Sequence, residues 1–284
     1  MIISKTPFRI SLIGGGTDFP SYYKKKNGLV IGGTINKYCY VTARFLPKVF
    51  DYKHRIVWSR NEVVKNNNEI FHPTVRSVFN YLQINKGLEI HYQGDLQKNS
   101  GLGTSSSFCV GLINSIKGLY NKKISTKNLA QTAIHIEQNI MKENSGSQDQ
   151  IWASYGGFNS ISFKQNDKFK VNKLPILDSN INKLNNNLFL IYTGIHKYSH
   201  IVEKDKIINF NKNIFLLDQI YLLAKEFKTT ITNNSNLDFV GDILNEYWVL
   251  KKKLSNKVSN SKIDEIYDEC LNLGASGGKI IGSG

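Results

Sequence analysis

Gly94-Asp95-Leu96-Gln97-Lys98-Asn99-Ser100-Gly101-Leu102-Gly103-Thr104-Ser105-Ser106-Ser107 lies between an alternating run, Leu88 to Tyr92, and a stretch that places Cys109, Leu112, Ile113, Ile116, Leu119 and Tyr120 on one stripe. The first run has the period of a strand and the second that of a helix. A glycine-rich loop opening a helix brings backbone N–H groups close to an anion, and the helix dipole favours the negative charge there. Ser100, Gly101, Leu102, Gly103, Thr104, Ser105, Ser106 and Ser107 are therefore the candidate phosphate cradle, their hydroxyls adding donors and a possible magnesium ligand. The loop lacks the Gly-Lys-Ser/Thr ending of the P-loop, and Ser106 stands where a dinucleotide fingerprint has its third glycine. A glycine turn capped by serine is the purely structural alternative.

Outward from this loop, Ile2 to Ile13 reads as a strand ending at Gly14-Gly15-Gly16, and Gly28 to Ile35 and Tyr38 to Phe45 as further β-rich runs. Val75, Val78, Phe79 and Leu82 follow Pro73 at helical spacing, and Leu129, Ala133, Ile136 and Ile140 form a second helical stripe after the loop helix. Short strands return at Gly156 to Phe163, Phe169 to Leu174 and Leu188 to Tyr192. Helices then occupy Val202 to Phe227, Leu237 to Leu254 and Ile263 to Leu273. The glycine-rich tail after the last helix reads as a sharp return into a strand. Strands first and a helix-rich second part predict an α+β fold with two lobes, divided into residues 1–165 and 166–284.

A chain of 284 residues with 40% hydrophobic side chains can enclose a core, which excludes wholly disordered and low-complexity classes. Its formal charge of +15 attracts nucleic acid, anionic membranes or small phosphorylated molecules without choosing among them. Lysines are scattered, whereas Arg9, Arg44, Arg55, Arg60 and Arg76 all fall in the first third. A planar guanidinium fork suits bidentate phosphate contacts, so the front of the chain is the expected anion-handling region. Cys39, Cys109 and Cys270 form no zinc or disulfide pattern, which fits a reducing compartment. No apolar run reaches the roughly 18 residues of a membrane span, and the N-terminus lacks signal-peptide organisation, so a cytoplasmic protein is expected.

Glu137 flanks the second helical stripe and precedes Gly146-Ser147-Gln148-Asp149-Gln150. Two carboxylates on a helix end and a loop can divide labour, one holding a metal and the other meeting an acceptor hydroxyl. An aspartate beside glycine and serine is more often a cap or turn residue.

Thr6-Pro7-Phe8-Arg9-Ile10-Ser11, Gly14-Gly15-Gly16-Thr17-Asp18, the Gly101 to Ser107 loop, Ile134-His135-Ile136-Glu137-Gln138, the Gly146 to Gln150 segment and the tail Gly274 to Gly284 arrive in one order. Taken together, they resemble the GHMP family of small-molecule kinases over essentially the whole chain. Within that family they look like the D-glycero-D-manno-heptose 7-phosphate kinases. The resemblance implies a two-lobed fold, with an N-terminal lobe like domain 2 of ribosomal protein S5 and a ferredoxin-like C-terminal lobe.

It also implies roles. The loop would wrap the triphosphate of ATP, with Ser105 and Glu137 holding Mg²⁺. Asp149 would be the catalytic aspartate and Arg9 its charge-stabilising arginine. Gly15, Gly16, Thr17 and Asp18 would grip the sugar, and Gly277 and Gly278 would close over it. Arg44, Lys53, Arg55 and Arg76, with His196 and Lys197 as outsiders, are the expected cations for the sugar's own phosphate. The partners expected are ATP and a small sugar phosphate, with a homodimer as an option and without nucleic acid or membrane.

The pattern departs from the family at Gln97, Thr104, Ser276 and Ser283, and relatives continue from the tail glycines into a strand where this chain reaches Gly284. A fucose- or galactose-type kinase and a non-catalytic sensor of the same fold are the competing readings.

Overall fold

The computed structural model describes residues 1–98, 100–195, 205, 210–233 and 237–282, with the side chain of Asn211 left aside. In chain order the elements are β1 (Ile2–Ile13), α1 (Pro20–Tyr23), β2 (Gly28–Phe45), β3 (His54–Val57), β4 (Asn61–Val64), α2 (Pro73–Tyr81), β5 (Leu88–Gly94), α3 (Thr104–Leu119) and α4 (Thr126–Ile134). A π-helical segment, His135–Ile140, follows. Then come α5 (Gln148–Tyr155), β6 (Phe158–Phe163), β7 (Phe169–Lys173), α6 (Asp178–Asn187), α7 (Phe210–Asn233), α8 (Phe239–Leu254) and α9 (Ser261–Asn272). The architecture is α+β, as expected.

The chain divides into two compact units. One comprises Met1–Arg9 with Thr34–Gly156, and the other Ile10–Gly33 with Gly157–Gly284. This differs from a single cut at 165/166, because residues 10–33 go with the C-terminal half. A composition shift along the chain marks where a segment changes character, but it cannot mark an early segment that pairs with a late one.

In the first unit the strand order is β4-β3-β5-β2, with β1 also paired to β2. Here β5 runs antiparallel to the second half of β2 and parallel to β3. Period-two alternation puts Val41, Ala43, Ile56, Leu88 and Ile90 in the core with Val75, Val78 and Phe79 of α2 and Cys109, Leu112, Ile113 and Ile116 of α3. The loop helix lies close to the sheet at Gly111, where a Cβ would come within 2.8 Å of Thr6 Oγ1. Ser4 Oγ donates to the Gly111 carbonyl across 2.8 Å. Helix starts follow local chemistry. Pro73 opens α2 where a missing N–H costs nothing, and Ser125 caps α4 by accepting from the Asn128 N–H.

In the second unit the first half of β2 pairs with β6, and β6 with β7, both antiparallel. Leu12, Ile13, Leu29 and Ile31 pack with Ile220, Leu223, Ala224 and Phe227 of α7 and with Leu244, Tyr247 and Leu254 of α8. A smaller cluster of Trp248, Val258 and Ile263 joins α8 to α9.

Three expectations are corrected. Leu188 to Tyr192 forms no strand, and its side chains are largely exposed. A strand needs a paired edge, and this segment pairs with none of the described strands. Residues 275–282 likewise form no strand after the tail glycines. The second stripe does not run on as one α-helix, because the π-helical segment takes over at His135 and leaves Ile140 40% exposed. Part of the Val202 to Phe227 helix, at 202–204 and 206–209, lies outside the described residues, as do His196, Lys197, Ser283 and Gly284.

Candidate active site

The loop ends at Gly103, whose φ of +74° is left-handed and which caps α3 with no side-chain hydrogen bond. Glycine is the residue that takes this conformation without steric cost. A second demand falls on the same position, since a Cβ there would lie 3.1 Å from Arg9 Cγ. The first amides of α3 have no intrahelical acceptors, and its first turn carries no acidic side chain. The start of the helix is thus chemically suited to an anion.

Arg9, projecting from β1, binds that loop to the acid. Its main-chain N–H donates to the Leu102 carbonyl at 3.0 Å, and Nη1 donates to the Gly101 carbonyl at 2.5 Å. Its Nε donates to Asp149 Oδ1 at 2.6 Å and Nη2 donates to Oδ2, closing a two-point ion pair. The arginine side chain is 7% exposed and the aspartate 23%. Asp149 sits in the first turn of α5 rather than in a loop, which gives it a fixed direction.

Glu137 is 1% exposed and comes from the π-helical segment, where the Met141 N–H reaches back five residues to the Ile136 carbonyl. That wider turn buries both Ile136 and Glu137, whereas the α-helical reading leaves Glu137 at the edge of the stripe. Its Oε2 accepts from Ser106 Oγ at 2.9 Å and from Gln150 Nε2, while Oε1 is buried with no partner. Burial first, then the neighbouring Glu143 and Asp149 charges, push its carboxyl up to about 8 against the pull of the two hydrogen bonds.

Ser105 is exposed on the first turn of α3. The hydroxyl that meets Glu137 is that of Ser106, which sequence reasoning placed in the phosphate cradle but not beside the carboxylate. Gln150 was missed as well. Its only sequence signal is a polar residue next to Asp149 at the head of an apolar run, Ile151-Trp152-Ala153.

Magnesium fits these residues. A buried carboxylate with one unpartnered oxygen favours a cation, Ser105 and Ser106 supply hydroxyls, and Mg²⁺ usually takes one or two carboxylates with the remainder from phosphates and water.

The three arginines among the expected phosphate-binding cations have other partners. Arg44 and Arg55 both pair with the buried Glu89, which His91 also meets at 2.7 Å. Arg76 Nη1 donates to the Ile70 carbonyl at 2.9 Å, and Lys53 contributes its main-chain N–H to Val64. None of these contacts involves Arg9, Glu137 or Asp149.

Gly15, Gly16, Thr17 and Asp18 belong to the second unit and form a turn in which Thr17 and Asp18 are buried. Thr17 Oγ1 donates to the Gly14 carbonyl at 2.8 Å, Asp18 Oδ1 accepts from the Gly16 N–H at 3.0 Å, and the Tyr247 hydroxyl donates to the Gly15 carbonyl at 3.1 Å. Burial, then the Asp18 charge, push the Tyr247 phenol far up. In the same unit Gly277 approaches Gly241 so closely that a Cβ would meet its carbonyl at 2.0 Å, and the buried Lys251 holds the Ile280 and Gly282 carbonyls. Gly278 follows in that segment.

Residues 69–157, which contain the loop, Glu137 and Asp149, match the family model of the GHMP kinases N terminal domain. This stretch is a GHMP kinase N-terminal domain. The chain is an ATP-dependent sugar kinase. It is 28% identical to the D-glycero-alpha-D-manno-heptose 7-phosphate kinase of Campylobacter jejuni over 100% of its own length and 86% of that protein's. It is 23% identical to the galactokinase of Pyrococcus furiosus, with the same two coverages. Among solved structures, a D-glycero-D-manno-heptose 1-phosphate kinase from Bacteroides thetaiotaomicron superposes with a TM-score of 0.80 at 23% identity, covering 99% of this chain and 86% of that one. The chain shares the fold of that solved kinase.

Proposed function

We propose that this chain, an ATP-dependent sugar kinase, phosphorylates the anomeric C1 hydroxyl of D-glycero-D-manno-heptose 7-phosphate and yields the 1,7-bisphosphate, a precursor of nucleotide-activated heptose for surface glycans. The observation that carries the reading is Arg9, whose one guanidinium joins the Gly101 carbonyl of the anion loop to both oxygens of Asp149. Phosphoryl transfer asks a protein mainly for alignment and charge stabilisation, and this side chain couples the two groups to be aligned. The heptose phosphate as substrate is supported by the full-length similarity to the Campylobacter jejuni protein.

In this reading the α3 amides and the hydroxyls of Thr104, Ser105, Ser106 and Ser107 hold the phosphates of ATP. Glu137 Oε1, with the Ser105 hydroxyl, would hold Mg²⁺, which neutralises charge on the β- and γ-phosphates when bound. The sugar oxygen bonds to the γ-phosphorus, the bond to the bridging oxygen breaks, and ADP leaves. Asp149 accepts the hydrogen bond of the attacking hydroxyl and orients it. A loose transition state needs little early deprotonation, so the proton passes late. Both Asp149 oxygens already face the guanidinium, which keeps the carboxylate fixed as that hydroxyl arrives.

The sugar's existing phosphate is assigned to Arg44 and Arg55, which share one carboxylate and so retain a net positive charge, with Lys53 and Arg76 as further candidates. Asp18 and its glycine turn, with Gly277 and Gly278, are the second unit's candidates for binding sugar. The protein is taken to work in the cytoplasm. No helix among the described residues is long and apolar enough to cross a membrane.

A coupled ADP-release assay against a sugar panel tests the reading. Turnover of the heptose 7-phosphate with none on free fucose or galactose is expected. The opposite pattern moves the substrate to an unphosphorylated sugar. ATP binding without turnover of any sugar leaves a sensor of the same fold.

A further inference from the structure

The Gln150 side chain has no part in the transfer step, yet it is fully buried and directed at Glu137. We infer that Gln150 is a positioning residue for the divalent cation, fixing the Glu137 carboxylate so that one of its oxygens is kept for the ion. This rests on the kinase reading of the site.

Both donors to Glu137, Ser106 Oγ and Gln150 Nε2, load the same oxygen, Oε2, and leave Oε1 buried and unpartnered. The terminal torsion of a glutamate is broad and weakly restrained on its own. One hydroxyl donor turns with the carboxylate, whereas a hydroxyl and an amide approaching from two elements, α3 and α5, remove that freedom. The donor is also neutral. A lysine or arginine at 150 would satisfy Oε2 but cancel the charge that attracts the cation, and a carboxylate would repel Glu137.

The other end of the amide, Oε1, is likewise buried without a partner. It is an acceptor only, suited to a water, and Mg²⁺ characteristically keeps several. Gln150 follows Asp149 in the first turn of α5, so the guanidinium fork that fixes Asp149 also fixes the turn that carries the amide.

The test uses Mn²⁺ as an EPR-visible ion with the full-length protein in the presence of ADP. Gln150→Leu should weaken Mn²⁺ binding by roughly 10–100-fold, the effect of removing a residue that orients a metal ligand. The Mg²⁺ concentration for half-maximal rate should rise by a similar factor, with kcat largely recovered at saturating metal. An unchanged Mn²⁺ affinity in a variant with native near-UV circular dichroism overturns the inference. Should the leucine variant not fold, Gln150→Asn, one methylene too short to reach Glu137, carries the same two outcomes. Glu137→Gln separates the two levels of the argument. Loss of Mn²⁺ binding there with none in the Gln150 variants sinks only the role of Gln150, and wild-type binding in Glu137→Gln sinks the metal site with it.

Discussion

Arg9 and Asp149 are 140 positions apart in sequence and meet through two nitrogens and two oxygens, with a third guanidinium nitrogen on the Gly101 carbonyl. The same side chain that positions the acid therefore shapes the anion loop.

Asp149→Asn keeps the shape and removes the charge. Turnover should fall by about 10²–10⁴-fold, the range of a positioned acid–base group, with the Kd for ATP nearly unchanged. Steady-state kinetics with isothermal titration of an ATP analogue check this, and retained turnover removes Asp149 from the reaction.

Arg9→Lys preserves the charge and loses the fork. Both the KM for ATP and kcat should worsen, because a single ammonium cannot hold Gly101 and both Asp149 oxygens. The stability loss should stay below the roughly 3–5 kcal/mol of breaking a fully buried pair, since Asp149 is 23% exposed. Urea melts measure it, and a variant with only one of the two kinetic constants altered contradicts the coupling.

Gly103→Ala meets a left-handed backbone and the Arg9 side chain at once. A stability loss of about 1–2 kcal/mol from the backbone alone is expected, with a higher KM for ATP. Gly278→Ala, whose added Cβ meets nothing closer than a Tyr267 ring carbon at 3.8 Å, serves as the mild comparison.

Stability of the metal-free protein should peak near pH 6.5. Burial lowers His54 and His72 to about 4, so the unfolded chain binds more protons between about 4 and 6.5 and stability rises with pH through that window. Glu137 has the opposite sign. Raised from 4.5 to about 8, it holds its proton longer in the folded state, and its contribution is lost as pH rises towards 8; the upward shift of Glu143 adds to that slope. Two histidines outweigh the carboxyls below 6.5, and the carboxyls act alone above it. Urea midpoints from pH 4.5 to 8.5 in EDTA check the curve, and Glu137→Gln should flatten its alkaline side.

The elements that carry the anion loop were legible because they announce themselves locally. The alternation of β5, the glycines and the long stripe of α3 need no distant partner to be read. What stayed hidden depends on pairing at a distance. The grouping of residues 10–33 with the second unit rests on β2 meeting β6, and no local pattern in Gly28 to Gly33 reports it. The apolar run Leu188 to Tyr192 has the composition of a strand but joins none of the described strands. Within the site, Asp149 and Glu137 stood out as carboxylates near glycines. The choice of Ser106 over Ser105 as the partner of Glu137 depended instead on one extra residue in the turn at 135–140.

That extra residue sets where the carboxylate points. A π-helical turn holds one residue more than the α-helical turn it replaces, and here the surplus faces Glu137 into the protein. Deleting His135 would let the chain run on in regular α-helical register, swinging Glu137 by about 100° around the axis. The resulting helix would be better formed than the native one, and its carboxylate would point elsewhere. The irregular turn thus trades backbone regularity for the burial of that carboxylate.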